Sequence, residues 1–432
     1  MIYFGTDGIR GVVGEELTQE ICFRCGNALS MLTRRPKIII GRDTRTSGSF
    51  VLSSFVSGAT MGGANVIDVG IVPSPAISFL VEKLKADFGI MITASHNPPE
   101  YNGIKIFDST GKKLSSKQEN QIERNFAKQQ CDKNKKFGKF TTKPKLVKLY
   151  INHLVKCVGT NLKGIDIVLD CSNGSNYLIA SKVFKKLGAK VTKINATNNG
   201  DKINYKCGAL HPQKLVNVVK KLGANVGFAF DGDADRIVVV DEQGQVIDGD
   251  QIVVFLTDMF KKFRILKSSA VVGTIQTNMA IEKHLQSQGI VLIRTDVGDK
   301  YVTEQLFLKN LQIGGESSGH IILSDYAKTG DGLLCALMIC KFMVLSGQPL
   351  STNIFKDLID THSKDFVVND KYTIINSASL KIAISESEQL LDGNGRVVVR
   401  ASGTEPKIRA MVETPNKNLA ELILQKIEST IK

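Results

Sequence analysis

The sequence predicts an α/β protein: three tandem related α/β domains with mixed sheets, followed by a smaller C-terminal α+β domain. Three observations carry this reading. The chain has 432 residues, too many for one ordinary domain. Three long segments repeat one plan of strand, polar loop, helix, Gly-led turn and second strand. They lie about a hundred residues apart, too far for a solenoid repeat and right for tandem homologous domains. After Thr361 the plan gives way to helix, strand, strand and helix.

The first unit runs from the apolar Lys37-Ile38-Ile39-Ile40 through Gly41-Arg42-Asp43-Thr44-Arg45-Thr46-Ser47-Gly48 and a helix to Gly63-Ala64-Asn65-Val66-Ile67-Asp68-Val69. The second runs from Ile165-Asp166-Ile167-Val168-Leu169-Asp170 through Cys171-Ser172-Asn173-Gly174-Ser175 to Gly188-Ala189-Lys190-Val191-Thr192. The third runs from Ala270-Val271-Val272-Gly273-Thr274 through Ile275-Gln276-Thr277-Asn278 to Gly289-Ile290-Val291-Leu292-Ile293. Short apolar runs bounded by turn residues read as buried strands, and βαβ units of this kind put helices on both faces of a sheet. A lysine-rich stretch from Lys133 to Lys148 reads as a hairpin or connector, and Leu149 to Val158 as a helix entering the second domain. Asp248-Gly249-Asp250 reads as a turn leading into the first helix of the third domain. In the terminal domain a helix is expected over Leu380 to Leu391, strands over Arg396 to Arg400 and Ile408 to Val412, and a helix over Asn418 to Ile431. Leu419, Ile423, Ile427 and Ile431 recur there every fourth residue and give that helix one apolar face. The domains are expected at residues 1–152, 153–249, 250–362 and 363–432.

The chain is 42% hydrophobic and 23% charged, ordinary for a soluble globular protein, and no segment has the length and apolarity of a membrane span. No basic start and apolar core of a secretory signal precede Tyr3-Phe4-Gly5, so a cytoplasmic protein is expected. The eight cysteines are scattered. Cys22 and Cys25 have CxxC spacing, but on a helix with no second pair, so they read as packed thiols in a reducing compartment. The net charge of +14 raises the question of nucleic acid, yet the lysines fall in runs such as Lys133-Asn134-Lys135-Lys136 and Lys185-Lys186 without interleaved aromatics. Such runs are ordinarily solvated surface, so neither nucleic acid nor membrane is expected as a partner.

Chemistry concentrates in a few loops. Phe88-Gly89-Ile90-Met91-Ile92 ends at Thr93-Ala94-Ser95-His96-Asn97-Pro98-Pro99, followed by Asn102-Gly103-Ile104-Lys105. The prolines stop the strand, leaving Ser95 on a stiff turn beside His96, with Lys105 downstream. A hydroxyl to carry a group, with donors and a cation for anionic oxygens, suits phosphoryl chemistry, although Ser-His-Asn-Pro alone is ordinary loop composition. Phe230-Asp231-Gly232-Asp233-Ala234-Asp235-Arg236 places three acids at alternate positions between two apolar strands. Clustered carboxylates repel and call for a hard cation, and Mg²⁺ is the natural one beside phosphate. Asp231, Asp233, Asp235 and Glu242 also match the spacing of a calcium-binding EF-hand loop. However, Arg236 stands where that loop needs glycine, and Ile237 to Val240 is strand-like, so calcium sensing is rejected.

Gly314-Gly315-Glu316-Ser317-Ser318-Gly319-His320 offers acceptors and donors for hydroxyls, a weak signal alone. Arg400-Ala401-Ser402-Gly403-Thr404-Glu405-Pro406-Lys407-Ile408-Arg409, with two hydroxyls and a glycine between arginines, reads as a phosphate cradle. Gly5-Thr6-Asp7-Gly8-Ile9-Arg10-Gly11 is a glycine-rich loop ending in a cation, and Asp296-Val297-Gly298-Asp299-Lys300-Tyr301 follows the second strand of the third unit.

Taken together, TASHNP, DGDADR, GESSGH and RASGTEPKIR resemble, in order and spacing, the α-D-phosphohexomutase family over essentially the whole chain. The resemblance implies four domains around a central cleft. It implies that Ser95 is the phosphorylated nucleophile and that Ser95, Asp231, Asp233 and Asp235 hold one Mg²⁺, with Arg236 close by. Arg10, His96, Lys105 and Lys300 are implied near the transferring group, in acid/base or charge-stabilising roles. Glu316, Ser318 and His320 would bind the sugar, and Arg400, Ser402, Gly403, Thr404 and Arg409 the phosphate that is not reacting. The substrate would be a small sugar phosphate, with a hexose or hexosamine 1,6-bisphosphate as intermediate and activator; a homodimer is left open. The opening Tyr3 to Gly11, Val297 to Val302 and Thr329-Gly330-Asp331-Gly332 are similar to the family's amino-sugar branch. Tyr101 is more like the mannose and glucose branch, and that substrate class is the alternative. A non-catalytic sugar-phosphate-binding protein is the alternative of another kind; it predicts damage at Ser95 or the aspartates, which are intact.

Overall fold

The structure, a computed structural model, describes residues 4–5, 7–126, 136–403 and 405–431. Four sheets succeed one another along the chain. The first has six strands in the order Ile9–Val12, Tyr101–Phe107, Phe88–Ile92, Lys37–Arg42, Asn65–Ile71 and Phe140–Thr142. The second has five, Val246–Ile247, Ile237–Asp241, Val226–Phe230, Asp166–Asp170 and Lys190–Ile194. The third orders Val291–Thr295, Ala270–Thr274, Ile313–Gly315 and Ile321–Leu323. The last is an antiparallel set of three, with Lys407–Glu413 between Thr361–Val367 and Arg396–Ala401.

One arrangement recurs in the first three sheets. The first strand of each βαβ unit pairs in parallel with the second on one side and with a third on the other. The third strand then turns back into an antiparallel fourth. The loops containing Ser95, the three aspartates and Glu316 all lie at that same third-to-fourth connection. The three chemically loaded segments are therefore one position of the fold, used three times. Phe88–Ile92 and Val226–Phe230 are buried along their whole length, which explains why their sequences are continuous apolar runs with no alternation.

Elsewhere the structure refines the sequence reading. Of the lysine-rich stretch, residues 133–135 lie outside the described residues. Phe140–Thr142 is an edge strand parallel to Asn65–Ile71, and the helix that follows begins two residues earlier than expected, as Val147–Val158. Asp248 is no plain turn residue: it caps helix Gly249–Lys262 in a reciprocal box with Gln251, which satisfies end-of-helix donors. The terminal helix spans Lys417–Ile431, with Ile423 and Ile427 fully buried.

A single apolar cluster runs through the first three domains, joining Ile39, Phe107, Leu169, Phe228, Leu292 and Leu337. Helix Gly332–Ser346, apolar on all sides, is almost wholly buried within it. The terminal domain has a separate core around Leu380, Ile408, Ile423 and Ile427. It meets the third domain through polar contacts: Arg396 Nη2 donates to the Thr277 carbonyl at 2.6 Å, and the Met279 N–H donates to Glu413 Oε2 at 2.9 Å. The seven described cysteines are free, and burial pushes the Cys22 thiol up to about 12, as expected of an inert packing residue. Among the described residues no helix is long and apolar enough to cross a membrane.

Candidate active site

Ser95 sits in the left-handed region at φ 50°, an uncommon conformation for a residue with a side chain, and is almost fully buried. Several groups hold it there. Its N–H donates to Thr93 Oγ1 at 2.8 Å, and its carbonyl accepts from Arg45 Nη2 at 3.0 Å and from Asn204 Nδ2 at 2.8 Å. Arg45, itself paired with Asp43, also donates to the carbonyls of Asn97, Pro98 and Tyr101, so one guanidinium fastens the whole turn. Asn204 reaches the same loop from the second domain. Ser95 Oγ, released from any backbone duty, donates to Asp231 Oδ2 at 2.5 Å. A side chain at Gly232 would stand 2.6 Å from the Ser95 carbonyl, so glycine there is what lets the two loops touch.

The aspartate loop brings Asp231, Asp233 and Asp235 together, all buried, each with a carboxylate oxygen within 4.8 Å of the others. Burial, then Asp233 and Asp235, push the Asp231 carboxyl well above its ordinary range. Lys105 supplies part of the missing positive charge, with Nζ 2.9 Å from Asp233 Oδ2 and 2.7 Å from Asp235 Oδ2. Burial works against its charge, but Asp233, Asp235 and Asp7 prevail and hold its pKa well above normal. Likewise Asp235 is raised by burial but brought well below the usual range by Lys105 and His320. Ser74 Oγ donates to Asp233. Among the described residues, Asp233 Oδ1 and Asp235 Oδ1 remain buried with no hydrogen-bond partner. An oxygen-only set with uncommitted buried oxygens fits a hard divalent ion of the Mg²⁺ kind.

Other expected site residues fall around this centre. Arg10 is bound to Asp7. Burial lowers its pKa, but Asp7, Asp233 and Asp235 outweigh that and raise it. His96 Nδ1 lies 3.4 Å from Ser95 Oγ, and burial, then Arg236 and Arg10, push its pKa down to about 4, so it is neutral near pH 7. The Arg236 backbone N–H donates to Asp231 Oδ1 at 3.2 Å. Lys300 stands apart: its ammonium binds Glu119 Oε2 at 2.9 Å and Ser116 Oγ at 3.0 Å, on the first domain's helix Ser116–Phe126.

In the third loop, Glu316 is buried and accepts from the Gly298 N–H at 2.9 Å, while Ser317 and Ser318 are exposed. His320 is not on that open face. It is 2% exposed, lies between Asp235 and Asp299, and its Nε2 accepts from the Gly330 N–H at 3.1 Å. In the terminal domain, Arg400 and Arg409 face each other across paired strands, and Arg400 is within electrostatic reach of Glu316 and Asp296. Arg409 is paired with Glu405 and Asp365. Lys371 Nζ donates to the carbonyls of Ser402, Gly403 and Glu405 at 2.6, 3.4 and 3.1 Å, bracing the loop. Thr404, expected in the cradle, lies outside the described residues.

Sequence reasoning passed over Arg45, Asn204, Ser74, Asp7, Lys113 and Lys371. Arg45 and Asp7 lie in quoted motifs and were legible as candidates. Asn204, Ser74, Lys113 and Lys371 sit in unremarkable contexts and gain meaning only from the loops the fold sets against them.

A hydroxyl facing caged acids with spare oxygens suits phosphoryl handling, here built where tandem α/β domains meet. Four descriptions of one family match the chain in order. They are "Phosphoglucomutase/phosphomannomutase, alpha/beta/alpha domain I" over residues 1–133, domain II over 148–244, domain III over 248–360, and the C-terminal domain over 365–429. The phosphoglucosamine mutase of Clostridium acetobutylicum is 41% identical over 442 residues, covering 98% of this chain and 99% of that protein. A phosphoglucomutase/phosphomannomutase family protein from Burkholderia thailandensis, 22% identical, superposes with a TM-score of 0.83 over 100% of this chain and 97% of its own. The Aspergillus fumigatus N-acetylphosphoglucosamine mutase, solved with GlcNAc-6P and magnesium, is 17% identical with a TM-score of 0.68, covering 100% of this chain and 96% of that one. The chain belongs to the phosphoglucomutase/phosphomannomutase family, the α-D-phosphohexomutases.

Proposed function

We propose that this chain interconverts glucosamine 6-phosphate and glucosamine 1-phosphate through a phosphoserine and a 1,6-bisphosphate, feeding UDP-N-acetylglucosamine synthesis. The observation that carries the chemistry is Ser95 Oγ at 2.5 Å from Asp231 in a cage of three acids. The choice of amino sugar rests on relatives named phosphoglucosamine mutase that match nearly end to end.

In the forward direction the P–Oγ bond of phospho-Ser95 breaks as a P–O bond to the free sugar hydroxyl forms, and the hydroxyl's proton ends on the leaving Ser95 Oγ. The bisphosphate then turns over in the cleft. Its other phosphoryl group passes to Ser95 Oγ as that group's bond to the sugar oxygen breaks, and the serine's proton goes to that oxygen, restoring the enzyme and releasing the isomer. Asp231, Asp233 and Asp235, with the Ser95 phosphate, would hold one Mg²⁺, which when bound neutralises charge on the transferring group. Arg10 and Lys105, as fixed cations, face the same charge, and His96 is assigned with them to acid/base or charge-stabilising work; Lys300, assigned to the same set, would first have to leave Glu119. Glu316, Ser318 and His320 are assigned to the sugar end. Arg400, Ser402, Gly403, Thr404 and Arg409 are assigned to the far phosphate, on a terminal domain with its own core. The free buried thiols support a cytoplasmic setting.

Turnover measured on glucosamine, glucose and mannose phosphates, with the matching bisphosphate as activator, tests the reading. Glucosamine phosphates should be turned over fastest. Preference for mannose or glucose phosphate would move the assignment to the branch suggested by Tyr101, and no turnover on any of them would end it.

A further inference from the structure

Six side chains around the site, three carboxylates alternating with two lysines and a histidine, close on themselves. Lys105 Nζ lies 3.1 Å from Asp7 Oδ2 and 2.7 Å from Asp235 Oδ2. Asp235 Oδ2 lies 3.7 Å from His320 Nδ1, and His320 Nε2 lies 3.5 Å from Asp299 Oδ2. Lys113 pairs with Asp299 on one side and with Asp7 on the other. The circuit draws Asp7, Lys105 and Lys113 from the first domain, Asp235 from the second, and Asp299 and His320 from the third. Lys113 is 13% exposed, and in this circuit it is the residue that directly bridges the glycine-rich opening loop to the third domain.

We propose that Lys113 is a positioning residue for the mutase reaction: by bridging Asp7 and Asp299 it fixes the third domain against the loop that aims Arg10 and Lys105. This rests on the mutase reading above. Asp7 is the direct partner of both Arg10 and Lys105, so any displacement of Asp7 is passed to two cations facing the transferring phosphoryl group. Without Lys113, Asp7 and Asp299 become two largely buried carboxylates facing each other across a domain joint. Their repulsion pushes apart the loops that must close over the substrate. Both flanking segments depend on this anchor. Lys113 lies beyond strand Tyr101–Phe107, held to it by an antiparallel bridge with Phe107, while Asp299 opens helix Asp299–Leu308. Lys300, next to Asp299, binds Glu119 and so ties the same two domains outside the circuit. That second tie keeps the domains associated when Lys113 is lost, and the expected defect is therefore misalignment rather than dissociation.

The test compares Lys113→Met, Lys113→Arg and the double variant Lys113→Met/Asp299→Asn in the full chain. Lys113→Met should lower kcat by about ten- to a hundredfold, the scale expected of a displacement near 1 Å, with KM changed far less. Lys113→Arg should recover most of that loss, since arginine reaches both carboxylates. Removing the stranded charge at Asp299 in the double variant should recover part of it as well. Hydrogen exchange should quicken in Lys113→Met across residues 296–308 and stay unchanged in strand Phe88–Ile92. A Lys113→Met enzyme with wild-type kcat and unchanged exchange overturns the proposal. So does a loss of activity that neither partner variant relieves. Should the wild-type protein turn over none of the sugar phosphates, the mutase reading falls, and the exchange result alone then judges the bridge.

Discussion

Ser95 Oγ and Asp231 Oδ2 lie 2.5 Å apart although 136 residues separate them in the chain. The contact joins two copies of the same structural position, the turn between third and fourth strands, in consecutive domains. A serine on a strained turn meets a carboxyl that burial and two neighbouring acids have pushed well above its usual range. The proposed phosphoryl and cation site is built on this contact.

Ser95→Ala should reduce mutase turnover by at least about a thousandfold, since it removes the hydroxyl proposed as the nucleophile. Its melting temperature should stay near that of the wild type, because the backbone bonds from Thr93, Arg45 and Asn204 do not involve the hydroxyl. Intact-mass analysis should find a phosphate on wild-type protein incubated with the bisphosphate and none on the variant. Wild-type turnover by Ser95→Ala would rule out the phosphoserine route.

Mg²⁺ should raise the thermal stability of the wild-type protein, by about 2.7 kcal/mol at a hundred times its dissociation constant. Chelation should abolish both that gain and turnover. In Asp233→Asn the gain should be lost while far-ultraviolet circular dichroism remains native. An equal Mg²⁺ response in both proteins would mean the ion binds elsewhere.

Arg45→Met strands Asp43, which is fully buried and already raised by burial, and frees the carbonyls of the Ser95 turn. Removing one partner of a buried ion pair costs about 3–5 kcal/mol, and denaturant melts should show a loss of that order. Lysine should not rescue it, because an ammonium cannot reproduce the guanidinium fork that reaches Asp43 and the loop carbonyls at once. A variant as stable and active as the wild type would remove Arg45 from this role.

Arg400→Ala should act mainly on binding. The loss of a charge-assisted phosphate contact, about 1.5–3 kcal/mol, predicts a KM raised about tenfold or more with kcat changed little. Steady-state kinetics on the preferred sugar phosphate distinguishes this from a fall in kcat alone, which would place Arg400 at the reacting phosphate instead.

Asp250, at the start of helix Gly249–Lys262, is pushed up to about 7 by burial and by Asp248. Between the unfolded value near 4 and that folded value, the folded state binds more protons than the unfolded one, so stability falls as pH rises through this window. A shift of about three units corresponds to about 4 kcal/mol above pH 7. Asp250→Asn should therefore be the more stable protein at pH 8, with the difference gone by pH 4. Parallel stability curves for the two proteins from pH 4 to 8 would refute this.

Much of the molecule was legible because its signals are local. Short apolar runs bounded by turn residues, such as Val226–Phe230, read as buried strands, and the fourfold spacing of Ile423 and Ile427 marks one face of a helix. Asp231, Asp233 and Asp235 announced a cation from three adjacent alternate positions, since like charges crowded so closely need one. Asn204 and Lys113 carried no such signal: a lone amide and one lysine of a pair look like surface until the facing loop is known. His320 shows the opposite case. Its motif marked it as a site residue, and only the fold shows that Asp235, Asp299 and the Gly330 N–H surround it.

The sequence by itself determined the three repeated α/β units, the terminal α+β domain and the residue types able to carry a phosphoryl group and hold a metal. Those follow from periodicity, turn chemistry and charge spacing, all properties of neighbouring residues. Only the tertiary structure decided that Ser95 touches Asp231, that Arg45 and Asn204 grip the same turn, and that Lys113 joins Asp7 to Asp299. Contacts of that kind depend on how sheets from different domains pack about one core, and no stretch of chain encodes them alone.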